Sequence, residues 1–242
     1  MILYRPLKTP KALTFDLDDT LYDNWPIIRN AELELTAFLE QHHPKILSLG
    51  KSGWRQARLF CITKDPRLAS DMTQLRKAVL TKLASDVGYS YNQQKTLAED
   101  GYSVFYSARS SFKVNETIYS LLESLKSICP LVAITNGNVD LERVGIARLF
   151  ETSFQASVEQ PMKPHPNMFN AAIEFLNMPA SDILHIGDHL IKDVWGAHQR
   201  GMQTAWYAIN RPMHLPNESA TILPTVQLDS LNELLTIIQP QT

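Results

Sequence analysis

The sequence predicts a doubly wound parallel α/β sheet with a block of helices inserted into it, on three observations. Short apolar runs at residues 12–17, 131–135, 154–157, 183–187 and 204–208 each stop at Asp, Asn, Gly or Pro, as buried parallel strands do. Helical patterns of crossover length separate most of these runs. The interval 23–111 shows several helical stretches and no convincing strand, and it is too long for a connecting loop.

From the N-terminus, ALTFDL at 12–17 is the first strand. Residues 27–41 put Ile28, Leu35, Phe38 and Leu39 on one side of a helix, and 54–63, 71–87 and 92–109 read as further helices. This insertion leaves after the first strand and returns before the second, which divides the chain into a core of 1–22 with 112–242 and an inserted 23–111. Helix 115–128 carries Ile118, Leu121, Leu122 and Leu125 at helical spacing and leads into strand two at 131–135. Strand three is FQAS at 154–157, followed by helix 167–177 with Met168, Ala171, Ala172 and Phe175. Strand four is ILHIG at 183–187, then a helix at 190–200 and strand five, TAWYA, at 204–208. Residues 211–224 read as a loop before a short strand at 226–228 and a last helix near 230–238. In such a sheet, ligands gather beyond the carboxyl ends of the strands near the switch point.

Composition narrows the function classes. At 242 residues with 44% hydrophobic and 20% charged, the chain is globular and can bury a sizeable core without staples. The 23 basic and 25 acidic residues leave a net charge of −2 and no basic run, so neither nucleic acid nor a membrane surface is an expected partner. Cys61 and Cys129 show no metal-ligand spacing and are expected as buried free thiols. The start, MILYRPLKTPKAL, is too broken by charge and proline for a signal peptide, and no apolar run approaches the roughly 18 residues of a membrane span. A soluble, cytoplasmic protein is expected; nothing in the sequence sets an oligomeric state.

The chemistry is concentrated at the strand ends. Strand one closes on Phe15-Asp16-Leu17-Asp18-Asp19-Thr20, three carboxylates whose mutual repulsion a cation would relieve. Residues i and i+2 of an extended chain share a face, so Asp16 and Asp18 can enter one cleft, and an oxygen-only donor set suits magnesium better than zinc. Strand two ends Thr135-Asn136-Gly137-Asn138, groups suited to phosphate oxygens. Lys163, flanked by proline, precedes a helix, and strand four ends Gly187-Asp188-His189 with Asp193 five residues beyond Asp188. An acidic turn, a helix cap or a solvated lysine would explain each alone. Together they set acid, hydroxyl, cation and acid at successive carboxyl ends of one sheet.

DxDxT, a strand ending in Thr, an isolated Lys and GDxxxxD, in that order, resemble the haloacid dehalogenase-like hydrolases. The resemblance implies a Rossmann-like core with strand order 3-2-1-4-5 and identifies 23–111 with the helical cap such proteins insert after the first motif. It implies that Asp16 is the nucleophile that becomes an aspartyl-phosphate. Asp18 would be the general acid and then base, and Thr135 with Asn136 would hold the transferring phosphoryl group whose charge Lys163 balances. Asp16, Asp188 and the backbone carbonyl of Asp18 would hold magnesium (Mg2+), with Asp193 supporting them and Thr20 organising the loop. The second aspartate argues against dehalogenation, because halide leaves without a proton. Tyr4-Arg5-Pro6-Leu7, the run from Ala12 through Asn24, and Pro130 through Asn138 look like a bacterial branch that dephosphorylates flavin mononucleotide and the ribitylaminouracil phosphate of riboflavin synthesis. The expectation is a magnesium-dependent phosphatase for small phosphomonoesters. The alternatives are a phosphomutase of the same superfamily and a phospho-acceptor signalling module. His185 reads as a core histidine, and Trp54, Phe60, Trp195 and Trp206 read as packing residues.

Overall fold

The structure, a computed structural model, describes residues 1–218 and 222–239. Among these, β1 (Ile2–Leu3), β2 (Ala12–Phe15), β3 (Leu131–Thr135), β4 (Thr152–Gln155), β5 (Ile183–Gly187), β6 (Gln203–Trp206) and β7 (Val226–Gln227) form one sheet. Its order is β1-β7-β6-β5-β2-β3-β4, parallel throughout except where β1 meets β7. The expected strands therefore lie in the order 3-2-1-4-5. β2 sits between β3 and β5, so the chain reverses its direction of winding there and the carboxyl end of β2 opens into a crevice.

The sheet carries a core on each face because its central strands are buried throughout. Leu13 and Phe15 of β2 join Leu131, Ala133, Leu184 and Ile186 on one face, under α6 (Glu116–Lys126) and the C-terminal helix Glu233–Ile238. Ala12, Val132, Ile134 and Ile183 line the other, against Met168, Phe169 and Ala172 of the helix Asn167–Leu176 and Ala197 of Gly196–His198. The insertion holds α1 (Asn24–His42), α2 (Pro44–Leu47), α3 (Gly50–Lys64), α4 (Met72–Asp86) and α5 (Tyr91–Arg109), all between β2 and β3. Polar caps mark the starts of α1, α4 and α5. Asp23 accepts from the Trp25 N–H at 3.1 Å, Asp71 accepts from that of Gln74 at 2.8 Å, and Ser90 with Gln93 forms a capping box. Their apolar stripes, including Leu35 and Leu39, Ala57 and Cys61, Leu75 and Val79, and Leu97 and Phe105, close on a cluster separate from the sheet cores.

Several boundaries differ from the sequence reading. The strand expected at 154–157 runs over Thr152–Gln155, because this edge strand alternates half-buried and exposed positions instead of forming an apolar run. The first strand stops at Phe15, which leaves Asp16 and Leu17 in the following loop. The helix expected at 190–200 splits into a π-helical turn, Leu190–Trp195, and Gly196–His198. The expected loop 211–224 contains a short turn at Leu215–Asn217, and its residues 219–221 lie outside the described residues. Cys61 and Cys129 are both buried and unpaired. No helix among the described residues is long and apolar enough to cross a membrane.

Candidate active site

The loop after β2 is shaped by its own backbone. The Asp16 N–H donates to the Ile186 carbonyl at 2.8 Å, which carries the β2–β5 pairing one residue past the strand. Asp19 then adopts φ 61°, a left-handed conformation that aspartate tolerates better than most residues. That turn lets its N–H donate to the Tyr22 carbonyl at 2.8 Å. The Asp19 carboxylate accepts from the Asn24 N–H at 2.9 Å and the Asn210 amide at 2.8 Å, so it braces the loop. Thr20 is fully buried and its hydroxyl has no partner among the described residues.

Lys163 ties the strand ends together. Its Nζ lies 2.8 Å from Asp16 Oδ1 and 2.6 Å from Asp193 Oδ1, and all three residues are buried. Asn136 positions it by accepting the Lys163 N–H at 2.7 Å and donating to the Lys163 carbonyl at 3.0 Å. The side chain of Asn136 is thus committed to the lysine backbone, while the Thr135 hydroxyl accepts from the Gly137 N–H at 2.9 Å. Asp193 also accepts the His189 N–H at 3.0 Å and faces His185 Nε2 at 3.3 Å. The Asp193 side chain fits against the strand only because residue 187 is glycine; a Cβ there would stand 2.3 Å from Asp193 Cγ. His185 is a core residue, its Nδ1 2.8 Å from the Thr14 hydroxyl, and burial holds its pKa below the ordinary value. His189 caps the π-helical turn, its Nδ1 accepting from the Ile191 N–H at 3.1 Å.

Charge is unevenly compensated here. Burial pushes the Asp16 carboxyl well up, although Lys163 opposes it, and burial with the neighbouring Asp193 pushes Asp188 up to about 6. Burial also opposes the ionisation of Asp193, but Lys163 and His185 outweigh it and hold that carboxyl below the usual range. Carboxylate oxygens of Asp16, Asp188 and Asp193 lie within 4.8 Å of one another. Both Asp193 oxygens are already hydrogen-bonded, whereas Asp16 and Asp188 each engage one oxygen, with Lys163 and Arg211, which leaves the other oxygen of each for a cation. A hard divalent ion such as magnesium fits this all-oxygen set. Asp18 directs its carboxylate elsewhere, so its ligand would be the backbone carbonyl named in the sequence reading.

A cavity of about 680 Å³ separates these groups from the inserted helices. Asp16, Asp18, Thr135, Lys163 and Asp188 line one side; Trp54, Arg55, Arg58, Arg76 and Phe105 line the other. Of the aromatic residues read as packing, Trp206 is fully buried, but Trp54 lines this cavity, and Phe60 and Trp195 are 49% and 42% exposed on outward helix faces. The sequence reading also missed Arg109, whose Nη2 donates to Asp18 Oδ1 at 2.5 Å, and Arg211, whose Nη1 donates to Asp188 Oδ2 at 2.8 Å. Both partnerships span long sequence separations, and no local pattern marks either arginine.

A family model described as haloacid dehalogenase-like hydrolase matches residues 10–201, the span that holds every expected site residue. The chain belongs to the haloacid dehalogenase-like hydrolases. This hydrolase is 34% identical over 238 residues to 5-amino-6-(5-phospho-D-ribitylamino)uracil phosphatase YigB of Escherichia coli strain K12, covering 98% of this chain and 100% of that one. It is 25% identical to the human N-acylneuraminate-9-phosphatase, over 96% and 95% of the two chains. The crystal structure of 2-haloacid dehalogenase from Pseudomonas syringae pv. Tomato DC3000 matches with a TM-score of 0.87 and 31% identity, covering 95% of this chain and 98% of that one.

Proposed function

We propose that this hydrolase is a magnesium-dependent phosphatase that cleaves small phosphomonoesters through an aspartyl-phosphate on Asp16. The observation that carries the reading is the Asp18 carboxylate beside Asp16, Thr135 and Lys163 in one cavity. Displacing an alkoxide from phosphorus requires a proton donor at the leaving oxygen, whereas displacing halide does not. That requirement favours phosphoryl chemistry over the reaction named for the Pseudomonas neighbour.

In the first step an Asp16 oxygen attacks phosphorus, the bond to the leaving oxygen breaks, and Asp18 gives that oxygen its proton. In the second step Asp18 takes a proton from water as the water opens the acyl phosphate, restoring Asp16 and releasing inorganic phosphate. Lys163 offsets charge on the phosphoryl oxygens, and Thr135 with the backbone beside it orients them. Asn136 serves by holding the Lys163 backbone in register. Magnesium held by Asp16, Asp188 and the Asp18 carbonyl would screen the phosphate dianion from the attacking carboxylate. Residues 23–111 act as a cap over the 1–22 and 112–242 core, and their side of the cavity selects the leaving group. Flavin mononucleotide or the ribitylaminouracil phosphate of riboflavin synthesis is the proposed substrate. The Escherichia coli relative supports the ribitylaminouracil phosphate, and both esters suit a cavity whose far wall offers aromatic faces and arginine donors. A cytoplasmic setting suits the two unpaired cysteines.

The test is a comparison of leaving groups. Asp18→Asn should lower kcat/KM for flavin mononucleotide and other alkyl phosphates by about 10²-fold or more, and for p-nitrophenyl phosphate much less. EDTA should silence the wild type and magnesium restore it. Full activity after exhaustive chelation, or equal losses for both ester types, would overturn the mechanism.

Gly137 gives a second test. An added Cβ would stand 2.4 Å from Asp18 Oδ2 and 3.3 Å from the Thr135 hydroxyl. Gly137→Ala should fold with a nearly unchanged Tm while kcat falls about 10²-fold, the cost of displacing a reacting group by an ångström. A near-wild-type kcat would show that Asp18 needs no such tight seat.

A further inference from the structure

We infer that Arg109 is a positioning residue for Asp18: by pinning Oδ1 from the end of the inserted helices, it leaves Oδ2 as the oxygen that exchanges protons with the substrate. The inference rests on the role proposed above for Asp18 and extends it to a residue outside the family motifs.

The two oxygens of Asp18 have different surroundings. Oδ1 accepts from Arg109 Nη2 at 2.5 Å and from the Tyr22 hydroxyl at 2.8 Å. Oδ2 instead lies against Gly137, on the side of the strand end where Thr135 and the Gly137 N–H meet. Two donors on one oxygen fix the carboxylate plane and direct the free oxygen into the crevice.

A purely structural arginine would look different. Arg109 is the last residue of α5, where a cation can interact with the helix dipole while its head stays in water. Here the side chain is 1% exposed and crosses to a carboxylate 91 positions away. It lines the cavity, and its Nη1 is buried with no partner among the described residues. A guanidinium placed for stability alone would have its fork satisfied. Because Arg109 belongs to the inserted helices and Asp18 to the sheet loop, the contact also makes the placement of the proton donor depend on where those helices sit.

The experiment compares Arg109→Met, Arg109→Lys and Tyr22→Phe with Asp18→Asn, reading kcat/KM for an alkyl phosphate and for p-nitrophenyl phosphate, with Tm in parallel. Arg109→Met should lose about 10²-fold on the alkyl ester and less than roughly fivefold on the aryl ester. Arg109→Lys, which keeps one donor, should recover part of the alkyl activity. If Arg109→Met does not fold, Arg109→Lys and Tyr22→Phe carry the test through the same selective loss. Selective loss in Asp18→Asn without it in the folded Arg109 and Tyr22 variants overturns the inference alone. Equal loss on both esters in Asp18→Asn overturns the assigned role of Asp18, and the inference with it.

Discussion

Asp16→Asn is expected to abolish turnover, by about 10⁴-fold or more, while the protein folds as before. Asparagine keeps the shape of the side chain and removes the carboxylate proposed to attack phosphorus. The fold should tolerate the change because Lys163 keeps Asp193 at 2.6 Å, so its buried charge is not stranded. Burial disfavours the Asp16 carboxylate, so a neutral amide at that position removes an electrostatic cost and the Tm of the metal-free protein should hold or rise. Turnover measured in a preparation free of endogenous phosphatases, beside a melting curve, checks both statements. More than a few per cent of wild-type activity would sink the covalent route.

The second large effect is expected on stability. Asp193→Ala removes a carboxylate that is 1% exposed and serves Lys163 and His185 together with the His189 N–H. Breaking a buried ion pair from one side strands the other charge, and the expected loss is about 3–5 kcal/mol by urea unfolding at pH 7. Activity should fall as well, since Lys163 would lose one of the two carboxylates that centre it. The pH dependence has a definite sign. The Asp193 pKa is lower in the folded protein than in the unfolded chain. Its contribution is therefore complete above the ordinary aspartate value of about 3.9 and fades as pH falls below it. The stability gap between wild type and Asp193→Ala should narrow over that acid range. A gap below about 1 kcal/mol at pH 7 would mean that Lys163 is held well enough by Asp16 alone.

Sequence patterns exposed the groups that act locally and missed those that act across the fold. The run into Asp16, the Thr at the end of β3 and the GDxxxxD spacing were legible because strand ends impose order on neighbouring residues. The central strands were equally legible, since burial on both faces writes a continuous apolar run. β4 was displaced and β1 missed because an edge strand with alternating exposure and a two-residue antiparallel pair carry little pattern. Arg109 sat in the expected helix 92–109 as one more basic residue; only folding shows that it is buried on Asp18. The sequence offers Asn136 as an amide that holds the phosphoryl group with Thr135, yet that amide is committed to the backbone of Lys163, a contact that no spacing could announce.

The pairing of β2 with β3 has a consequence for how the molecule assembles. Leu13 faces Leu131, and all the inserted helices lie between these two partners. An unstructured chain of that length pays a loop-closure entropy before the central strands gain any contact. Non-local pairing of this kind is intrinsically slow. The helices, however, make their contacts mostly with one another and close on their own apolar cluster. Once condensed, they bring the two strand ends near each other and shorten the search. The insertion that lines the far wall of the cavity is thus also placed to be an early folding unit, on which closure of the central sheet depends.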